Sequence, residues 1–503
     1  MKNINYIKLL IAFGSLVILA GACKKELPST SISDSEALSS PASLATATLG
    51  NYAELVNNNY TKSGHFLMEY PSDDVAQSQP SSNNLSACYR YVTQIPTGTH
   101  ATNFWVQGYH IIAAANKIIA VIPDNSNSTL LQLKGENLYL RAMVEFNLVR
   151  MFGRPFTQGN GSNPGIPLIS ETTTNITPAR STVAQVYTSI IADLVKAASL
   201  MTTAKTNIYA SKEVAEALLS RVYLYMNDNT DAITYANLVI NSGRYTLLQG
   251  SAYSNYFSGV PENNTETIFC VKYTTTQDQG IASIGSLYYS GLGPDGKGAI
   301  TTPGGQGNTG YAEIYASLTY YQDLSQNPTD LRLNFIAPYT ISGVLQYNKA
   351  LTPATPMYYI TKYSFQQGVV TLSSPVYIRL AEMYLNRAEA NAKLGNSQAA
   401  IDDINIIRTR ATIPTLTQAG LGATSVLSAV LEERRLELAF EGQRMYDLYR
   451  NNLPMVRNYP GTQSLDNTPT TNVMQTVLPT AARVINYIPQ TELALNPNLT
   501  QNP

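Results

Sequence analysis

Two clusters in the sequence combine tyrosine with polar side chains of the kind that recognise sugars. The first cluster holds Asn83, Asn84, Tyr89, Arg90 and Tyr91, and the second holds Tyr288, Tyr289 and Tyr311. A tyrosine ring can cover the apolar C–H face of a sugar, while amide and guanidinium groups bond its hydroxyls. Both clusters therefore predict contacts with a ligand of this chemistry. The competing interpretation is chance pairing, because the chain holds 34 tyrosines.

Signatures of metal, nucleotide or covalent catalysis are missing from the sequence. His65, His100 and His110 show no metal-ligand spacing. No serine-nucleophile elbow or dinucleotide fingerprint occurs, and the glycine-rich stretch 304–307 lacks the Lys-Ser/Thr of a phosphate loop. We therefore predict neither a metal nor an organic cofactor. His110 falls within an apolar helical pattern and is predicted to be packed there.

Asp73 and Asp74 form the densest acidic pair outside the predicted helices. A glycoside hydrolase needs two carboxylates about 5–9.5 Å apart across a cleft. Adjacent residues usually point apart, and the surrounding segment EYPSDDVAQ is typical of a turn. The pair is therefore predicted to be structural, with a helical glycoside hydrolase as the enzyme alternative.

The charge balance argues against nucleic acid and anionic membrane surfaces as partners. The 503 residues hold 33 Lys and Arg against 34 Asp and Glu, which gives a net charge of −1. Both partner classes attract a strongly basic surface. By length the chain could form about two to four domains, or one large helical domain with insertions.

The N-terminus has the pattern of a secretory signal. A basic start precedes an apolar run over 9–20, which is shorter than the ~20 residues that span a bilayer. The run ends in LAGAC, where Cys23 resembles the lipidated cysteine of a bacterial lipobox. We predict a signal peptide over 1–22, lipidation of Cys23 and a polar linker over 23–40. An ordinary secretory cleavage site is the alternative.

Beyond Cys23 the chain holds two further cysteines, Cys88 and Cys270. An exported protein could join them in one disulfide. Their wide separation in sequence favours two separate thiols, and both arrangements stay open at this point.

Helical periodicity dominates on both sides of an irregular segment. Apolar spacing, glycines and prolines predict helices over 105–122, 135–152, 183–200, 211–226, 231–241, 376–394 and 397–411. The stretch 251–374 is rich in Gly, Thr, Ser and Tyr and predicts loops with short strands, including 268–273 and 358–365. Alanines cluster around the turn after residue 394, as in the helix pairs of tetratricopeptide repeats.

The predicted fold is all-α dominated and forms a single domain over 41–503. A tetratricopeptide-like helical-repeat scaffold occupies about 41–250 and 375–450. The irregular loop and short-strand insertion over 251–374 is expected to carry ligand specificity, and a tail follows over 451–503.

The segment 431–450, LEERRLELAFEGQRMYDLYR, predicts one helix rich in charged residues. Tyr320 and Tyr321 are predicted to lie in the core of a different helix. Opposite charges stand three residues apart at Arg434–Glu437, Glu441–Arg444, Arg444–Asp447 and Asp447–Arg450. A solvated face is one interpretation, since each exposed pair adds only ~0.2–0.5 kcal/mol. Gly442 inside the helix costs ~1 kcal/mol against alanine, which indicates close packing of another backbone there.

This segment resembles the C-terminal motif of the SusD/RagB family. The matching residues are Glu433, Arg434, Arg435, Glu437, Leu438, Phe440, Glu441, Gly442, Arg444 and 447–450, with Gln501, Asn502 and Pro503 at the end of the chain. The resemblance extends to earlier helices through Trp105, Tyr109, Glu136, Arg141 and Phe146. Arg154 stands where the family often has an acidic residue. The resemblance is weakest over 251–374.

The resemblance implies a lipid-anchored protein exposed on the outer membrane of a member of the Bacteroidota. Such a protein binds oligosaccharide without breaking bonds and closes as a lid over its partner, a SusC-like TonB-dependent transporter. Its ligand face is typically built from the two regions that hold the tyrosine clusters. Part of the family resembles a peptide importer, so peptide capture is the alternative. A pure scaffold that binds partners along its helical groove is the third interpretation.

Overall fold

The computed structural model describes residues 34–77, 84–92, 97–170, 177–288, 313–341, 344–464 and 470–503. The chain divides after residue 47 into two compact units, and the larger, Thr48–Pro503, holds the features that bear on function. Helices prevail among the described residues, together with short strands. The predicted all-α dominated fold class is confirmed.

The α-helices of the described chain are numbered in sequence order. They are α1 Asp34–Ala37, α2 Pro41–Leu55, α3 Thr61–Glu69, α4 Asn84–Arg90, α5 Thr99–Val121, α6 Ser128–Phe152, α7 Val183–Leu200, α8 Lys212–Met226, α9 Asn229–Asn241, α10 Gly250–Ser254, α11 Gly285–Tyr288, α12 Leu318–Ser325, α13 Leu380–Lys393, α14 Ser397–Arg410, α15 Val426–Leu438, α16 Arg444–Arg450 and α17 Gln490–Leu495.

The long helices pack in series and form the helical scaffold. Helix α5 packs on α6, α6 on α7, α7 on α8, and α8 on α9. Helix α9 then packs directly on α13, although the whole stretch 251–374 lies between them in sequence. Helix α13 in turn packs on α14 and α15. The scaffold therefore continues across the insertion, as the sequence predicts.

Side-chain caps set where several of these helices begin. Asn127 caps α6 and Asp228 caps α9, each by accepting a bond from a backbone N–H three residues further on. Helix α7 begins in a capping box formed by Thr182 and Gln185. These caps satisfy backbone donors that the start of a helix leaves unpaired, so polar side chains at these points define the helix starts.

The strands of the described chain form antiparallel pairs. The strands are β1 Val75–Gln77, β2 Thr267–Cys270, β3 Ile314–Ala316, β4 Ile336–Pro338, β5 Thr340–Ile341, β6 Val344–Leu345, β7 Tyr347–Asn348, β8 Thr355–Pro356, β9 Tyr358–Ile360, β10 Val376–Arg379, β11 Met455–Gly461 and β12 Val473–Val477. The pairs are β1–β3, β2–β10, β4–β9, β5–β6, β7–β8 and β11–β12. Short strands thus run through the insertion, as predicted.

The start of the predicted helix over 376–394 is wrong. Residues Val376–Arg379 form β10, which pairs with β2, and the helix begins only at Leu380. Valine, tyrosine and isoleucine at 376–378 favour a strand, since branched and aromatic side chains pack well on a pleated surface. Pairing with β2 satisfies the strand's backbone groups, so tertiary contact decides against the helix.

The predicted helix over 431–450 is two helices. Helix α15 ends at Leu438, and α16 begins at Arg444. Between them Phe440 and Gly442 have φ angles of +68° and +69°. A left-handed backbone cannot continue a right-handed helix, so the chain turns at this point.

Helix α7 is, among the described residues, the one helix long and apolar enough to cross a membrane by length and composition. It carries Asp193, whose carboxylate accepts bonds of 2.7 and 2.8 Å from Arg141 of α6. It packs against α6 and α8. These contacts are those of a scaffold helix.

Cys88 and Cys270 are both free and buried. Burial raises the pKa of each thiol to about 12. Of the two arrangements that the sequence leaves open, the structure has two separate thiols.

Candidate ligand-binding site

Strands β1 and β3 bring the two predicted tyrosine clusters to a common base. The strands are antiparallel, and Gln77 at the end of β1 pairs with Ile314 at the start of β3. Segments 78–83 and 289–312, which lie outside the described residues, join the chain at these two points. The described residues next to one end of each segment, Gln77 and Ile314, therefore lie side by side.

Asn348 of β7 adds a third segment to this base. Its buried side-chain amide donates to the Gln77 carbonyl at 3.3 Å and to the Tyr315 hydroxyl at 3.0 Å. Tyr315 packs in a small hydrophobic cluster with Ala76, Met357 and Tyr459. We call Gln77, Ile314 and Asn348 the loop base.

Several of the sequence-predicted site residues lie outside the described residues. These are Asn83, Tyr289 and Tyr311, together with the predicted lipidation site Cys23. Asn84 is the first residue of α4. Their predicted roles stay predictions.

Tyr89, Arg90, Tyr91 and Tyr288 are interior side chains, each at most 3% exposed. The Tyr89 ring stacks on the guanidinium of Arg457, whose Cζ lies 3.8 Å from the ring centroid. This cation–π contact covers one face of the Tyr89 ring and contributes to its burial. The three tyrosines offer no open ring face to solvent, and the prediction that these four residues contact ligand stays a prediction.

Tyr91 ties the first cluster to the C-terminal region. Its φ angle is +61°. Its hydroxyl donates to the Pro71 carbonyl at 2.7 Å and lies 2.7 Å from the hydroxyl of Tyr449 in α16. The polar tip of this buried tyrosine is therefore satisfied inside the protein, as buried polar groups usually are.

Tyr288 pairs with His65 of α3. The Tyr288 hydroxyl lies 2.6 Å from Nε2 of His65. The Tyr288 ring stacks on Tyr363 with centroids 5.7 Å apart. Burial lowers the pKa of His65 to about 3, so this histidine is neutral at neutral pH. The second cluster is thus anchored through a neutral hydrogen-bonded pair.

Three other tyrosines form a partly open surface beside the loop base. Tyr321 and Tyr358 are half-buried and stack with ring centroids 3.8 Å apart at 16°. Tyr347, next to Asn348 in β7, is 46% exposed. Partial burial and then Tyr321 raise the pKa of Tyr358, with a further contribution from nearby Tyr347. We call Tyr321, Tyr347 and Tyr358 the tyrosine face.

The strand register explains why these rings share a side. Tyr347 lies opposite Pro356, and Tyr358 lies opposite Pro338. Directly opposed residues face the same side of an antiparallel pair. Pro356 ends β8 and Tyr358 begins β9, and both are half-buried while Met357 between them is buried. The result is a surface of tyrosine and proline rings, which suits stacking against the apolar face of a sugar.

Sequence reasoning missed the tyrosine face. Tyr320 is fully buried, as predicted, but its neighbour Tyr321 is half-buried and stacks outside the helix core on Tyr358. The available signal is the two-residue spacing of Pro356, which ends β8, and Tyr358, which begins β9. It is weak, because a strand of this length gives too few repeats to establish a period.

Asp73 and Asp74 are each held by an arginine. Asp73 accepts from Arg444 at 2.8 and 2.9 Å, and Asp74 accepts from Arg435 at 2.7 Å. Burial works to raise the pKa of Asp73, but Arg444 outweighs it and holds that pKa at about 2. For Asp74 burial prevails over Arg435 and raises the pKa to about 6. Both carboxylates are thus engaged in ion pairs, Asp74 with Arg435 of α15 and Asp73 with Arg444 of α16.

A network of buried ion pairs surrounds α15 and α16. Glu437 forms ion pairs with Arg410 at 2.5 Å and with Arg379, and it lies 3.9 Å from Arg332. These arginines outweigh the effect of burial and hold the pKa of Glu437 well below its usual range. We call the set the C-terminal brace: Glu433, Arg434, Arg435, Glu437, Glu441, Arg444, Asp447 and Arg450.

The solvated-face interpretation of this segment is wrong. Of the four predicted pairs, which all lie in the described part of the chain, Asp447–Arg450 alone forms an ion pair. Arg434 instead bonds Asp447 across the turn, at 2.7 Å. Arg450 bonds Glu389 of α13 through both its terminal nitrogens. The charges face other elements rather than water.

Gly442 fills a tight position in the brace. Its N–H donates to the carboxylate of Glu69 at 2.8 Å. An added Cβ would lie 3.1 Å from the Cβ of Met68. The predicted close neighbour, another backbone, is wrong, because the Met68 side chain lies there instead. The positive φ of Gly442 is a second reason for glycine at this position.

No three His, Cys, Asp or Glu side chains within the described ranges are grouped so as to hold a metal ion. His100 lies 3.2 Å from the hydroxyl of Ser63. His110 is exposed on α5, so the prediction that it is packed is wrong. An amphipathic helix exposes several positions to solvent. The apolar residues around His110 suggested a buried position, although His110 lies on the exposed face.

Two families match the chain. Residues 297–503 match the SusD family, and residues 25–224 match a SusD-like family described as "Starch-binding associating with outer membrane". SusD-like protein P2 of Formosa agariphila is 30% identical over 385 residues, which cover 69% of this chain and 71% of that protein.

Solved structures of SusD superfamily proteins share the fold. One from Bacteroides vulgatus is 27% identical with a TM-score of 0.77, and the match covers 92% of this chain and 99% of that chain. One from Bacteroides thetaiotaomicron is 26% identical with a TM-score of 0.76, over 92% and 100% of the two chains. With its serial helical scaffold and these matches over most of its length, the chain belongs to the SusD family.

Proposed function

We propose that this chain is a surface lipoprotein that captures oligosaccharides and delivers them to a partner SusC-like TonB-dependent transporter. The matched family description, "Starch-binding associating with outer membrane", supports both glycan binding and the outer-membrane location. Lipidation of Cys23 would tether the chain there. The ligand is bound and passed on, and none of its bonds is broken.

The observation that carries the proposal is the tyrosine face beside the loop base. Tyr347 is exposed and neighbours Asn348, which bonds the bases of both predicted loops. A sugar ring on Tyr347 or Tyr358 gains about 25 cal/mol for each Å² of apolar surface removed from water. Asn83, Tyr289 and Tyr311 of the two loops are the proposed partners for the rest of the ligand.

The buried members of the predicted clusters have a different place in this proposal. Tyr89, Tyr91 and Tyr288 have contacts with Arg457, Pro71 and His65. Such contacts anchor the chain on either side of the loops.

A calorimetric screen tests glycan binding. The probes are malto-oligosaccharides of several lengths, a panel of other neutral oligosaccharides, and mixed peptides for the alternative import function. For the glycan that binds, Tyr347→Ala and Tyr358→Ala are each expected to weaken affinity about tenfold or more, as for a central aromatic contact. Tyr235→Ala is the matched control, because Tyr235 is also half-buried and stacked, on Tyr223 of α8.

The outcomes separate the alternatives. Binding of peptides and of no glycan would establish the import alternative. Glycan affinity that survives both substitutions on the tyrosine face but falls in Tyr89→Ala or Tyr288→Ala would move the site to the predicted clusters. Hydrolysis of the bound glycan would overturn the non-enzymatic mechanism.

Anchoring and delivery have their own test. Cys23→Ala is expected to release the protein from the membrane fraction while glycan affinity stays unchanged, since the residue lies far from the proposed site in sequence. Co-purification of the wild-type chain with a transporter from outer membranes would support delivery. A membrane-bound Cys23→Ala protein would contradict the lipid anchor.

A further inference from the structure

Arg150 of α6 is a buried arginine with an incomplete set of partners. It is 7% exposed. Its Nη1 donates to the Tyr225 hydroxyl at 3.3 Å, and its Nη2 donates to the Asn147 side chain at 2.6 Å. Its Nε has no hydrogen-bond partner in the part of the chain that the structure describes. Among the described residues, no carboxylate forms an ion pair with it. Buried arginines are normally paired with an anion.

Aromatic rings stabilise the Arg150 guanidinium in part, in place of an anionic partner. The guanidinium lies 4.7 Å from the ring centroid of Phe146 and 4.5 Å from that of Tyr446. Rings of this kind attract a cation through their negative faces. They leave the Nε proton without an acceptor, so the compensation is incomplete.

Arg457 is a buried arginine of the same protein whose hydrogen-bond acceptors are carbonyl and amide oxygens rather than carboxylates. Its nitrogens donate to the carbonyls of Tyr70, Ser72 and Tyr89 at 2.6–3.0 Å. The amide of Gln475 accepts a further bond. Arg150 has no such set of carbonyls, and this difference points to a missing acceptor.

A small cavity lies against Arg150. Its volume is about 20 Å³. A buried site needs about 10–15 Å³ to hold one water-sized species, so this cavity takes one and excludes an anion as large as phosphate. Arg450, Arg154 and Tyr446 also line it, and none of its described lining residues is a carboxylate. The Tyr446 hydroxyl, in a side chain that is 7% exposed, also lacks a hydrogen-bond partner among the residues that the structure describes.

The surrounding interior holds more cations than carboxylates. Arg450 and Lys393 share Glu389, while Arg434 and Arg450 share Asp447. Arg221 is bonded to Glu382. With Arg150 this makes five cations around three carboxylates, and each carboxylate is already engaged. An additional anion would therefore find a favourable potential here.

We infer that this cavity is a binding site for one halide ion, with chloride as the physiological occupant. The ion accepts from the Arg150 Nε and the Tyr446 hydroxyl, and it balances the cations around Arg450. Because Arg150 belongs to α6 and Tyr446 to α16, bound halide joins the helical scaffold to the C-terminal brace. This site is independent of the proposed glycan function.

Thermal unfolding at constant ionic strength tests the inference. Sodium chloride or bromide replaces sodium gluconate in steps, since gluconate is too large for the cavity. The expected result is a melting temperature that rises with halide and saturates, as for a ligand that binds only the folded state. Crystals grown with bromide are expected to show one anomalous peak between Arg150 and Tyr446.

Two conservative variants locate the effect. Tyr446→Phe removes only the unpartnered hydroxyl and is expected to raise the half-saturating halide concentration about tenfold, the usual cost of one hydrogen bond to a charged group. Tyr139→Phe is the matched control, because Tyr139 is likewise a buried tyrosine whose hydroxyl has no partner among the described residues, but it does not line the cavity. Its halide response should equal that of the wild type.

The opposite results would overturn the site. An equal response to gluconate would show an effect of ionic strength. Density for a water molecule in place of the anomalous bromide peak would show that water satisfies both donors. An unchanged half-saturating concentration in Tyr446→Phe would remove the proposed ligand, and this variant keeps the ring that packs on Arg150.

Discussion

Glu437 and Tyr347 lie in the same chain under opposite constraints. Glu437 is fully buried and is surrounded by Arg332, Arg379 and Arg410, which come from distant parts of the sequence. Tyr347 is 46% exposed on a strand of two residues. The first side chain is fixed by charges that must be matched. The second is constrained only by a strand register.

This difference teaches why the family is easy to identify and the ligand is not. A buried charge is tolerated only with its partners present, so each residue of the C-terminal brace restricts the others. An exposed ring restricts no neighbour, and it can be replaced or moved when the ligand changes. The recognisable motif therefore supports the fold, and the ligand surface uses residues with little sequence signature.

Removing one charge from the brace is expected to have the largest effect on stability. Glu437→Gln leaves three buried arginines with one carboxylate fewer, which should lower the free energy of unfolding by about 3–5 kcal/mol. Chemical denaturation would show this as a lower midpoint with an unchanged slope. Glu432→Gln in the same helix is the control, since its side chain is 46% exposed and pairs with Arg435 at 2.9 Å.

A loss below about 1 kcal/mol, as for a surface pair, would contradict the brace. It would mean that Glu266 and Glu441, which also bond Arg379, are sufficient to balance these arginines. The difference in constraint between the C-terminal brace and the tyrosine face would then come from side-chain packing rather than from buried charge.

The scaffold helices show how much of this fold can be predicted. Helix α7 begins and ends where the sequence predicts, because Thr182 and Gln185 form a local capping box. The brace partners could not be predicted in the same way. Glu437 meets Arg379, 58 positions away in sequence, and no local pattern specifies that pairing. The i,i+3 spacing instead suggested pairs along one helix.

The candidate site was only partly predictable for a related reason. Tyrosine has an apolar body and a polar tip, so a cluster of tyrosines suits both a sugar platform and a core. Tyr89 and Tyr288 are buried because Arg457 and His65 lie against them, and neither neighbour is close to them in sequence. Tyr347 became a candidate only once its strand partner was known.

Acid is expected to lower the free energy of unfolding through the buried His65. Its pKa is about 3 in the folded protein, against about 6.5 in an unfolded chain. Below pH 6.5 the unfolded state binds a proton that the folded state refuses, so stability is lost as pH falls from 6.5 toward 3. The loss approaches about 1.4 kcal/mol for each pH unit.

A non-titrating variant measures this contribution. His65→Gln keeps a polar group beside Tyr288, and its stability should fall by about 2 kcal/mol less than wild type between pH 6.5 and 4.5. His110→Gln is the control, because His110 is exposed. Denaturant midpoints across this pH range provide the comparison. Parallel curves for wild type and His65→Gln would show that another group governs acid unfolding.

Gly442→Ala tests the turn inside the brace with a smaller expected effect. An L-residue at a φ of +69° costs about 1–2 kcal/mol, and the new Cβ must push against Met68. Gly50→Ala is a matched control that is expected to raise the free energy of unfolding rather than lower it. Gly50 lies in α2, where an added Cβ meets nothing within 4 Å, so alanine should stabilise the helix by up to about 1 kcal/mol. Equal effects on the denaturation midpoint would contradict the special geometry at Gly442.

Tyr347→Ala is expected to change stability least. The side chain is 46% exposed and lies at the surface of a two-residue strand, so its loss should shift the free energy of unfolding by at most about 0.5 kcal/mol. The same substitution should nevertheless weaken glycan binding about tenfold, because the ring supplies contact area rather than core packing. Denaturation and calorimetry on one preparation measure both quantities. If the variant lost stability as a brace variant does, Tyr347 would belong to the core, and the separation between a region that holds the fold and a region that holds the ligand would fail.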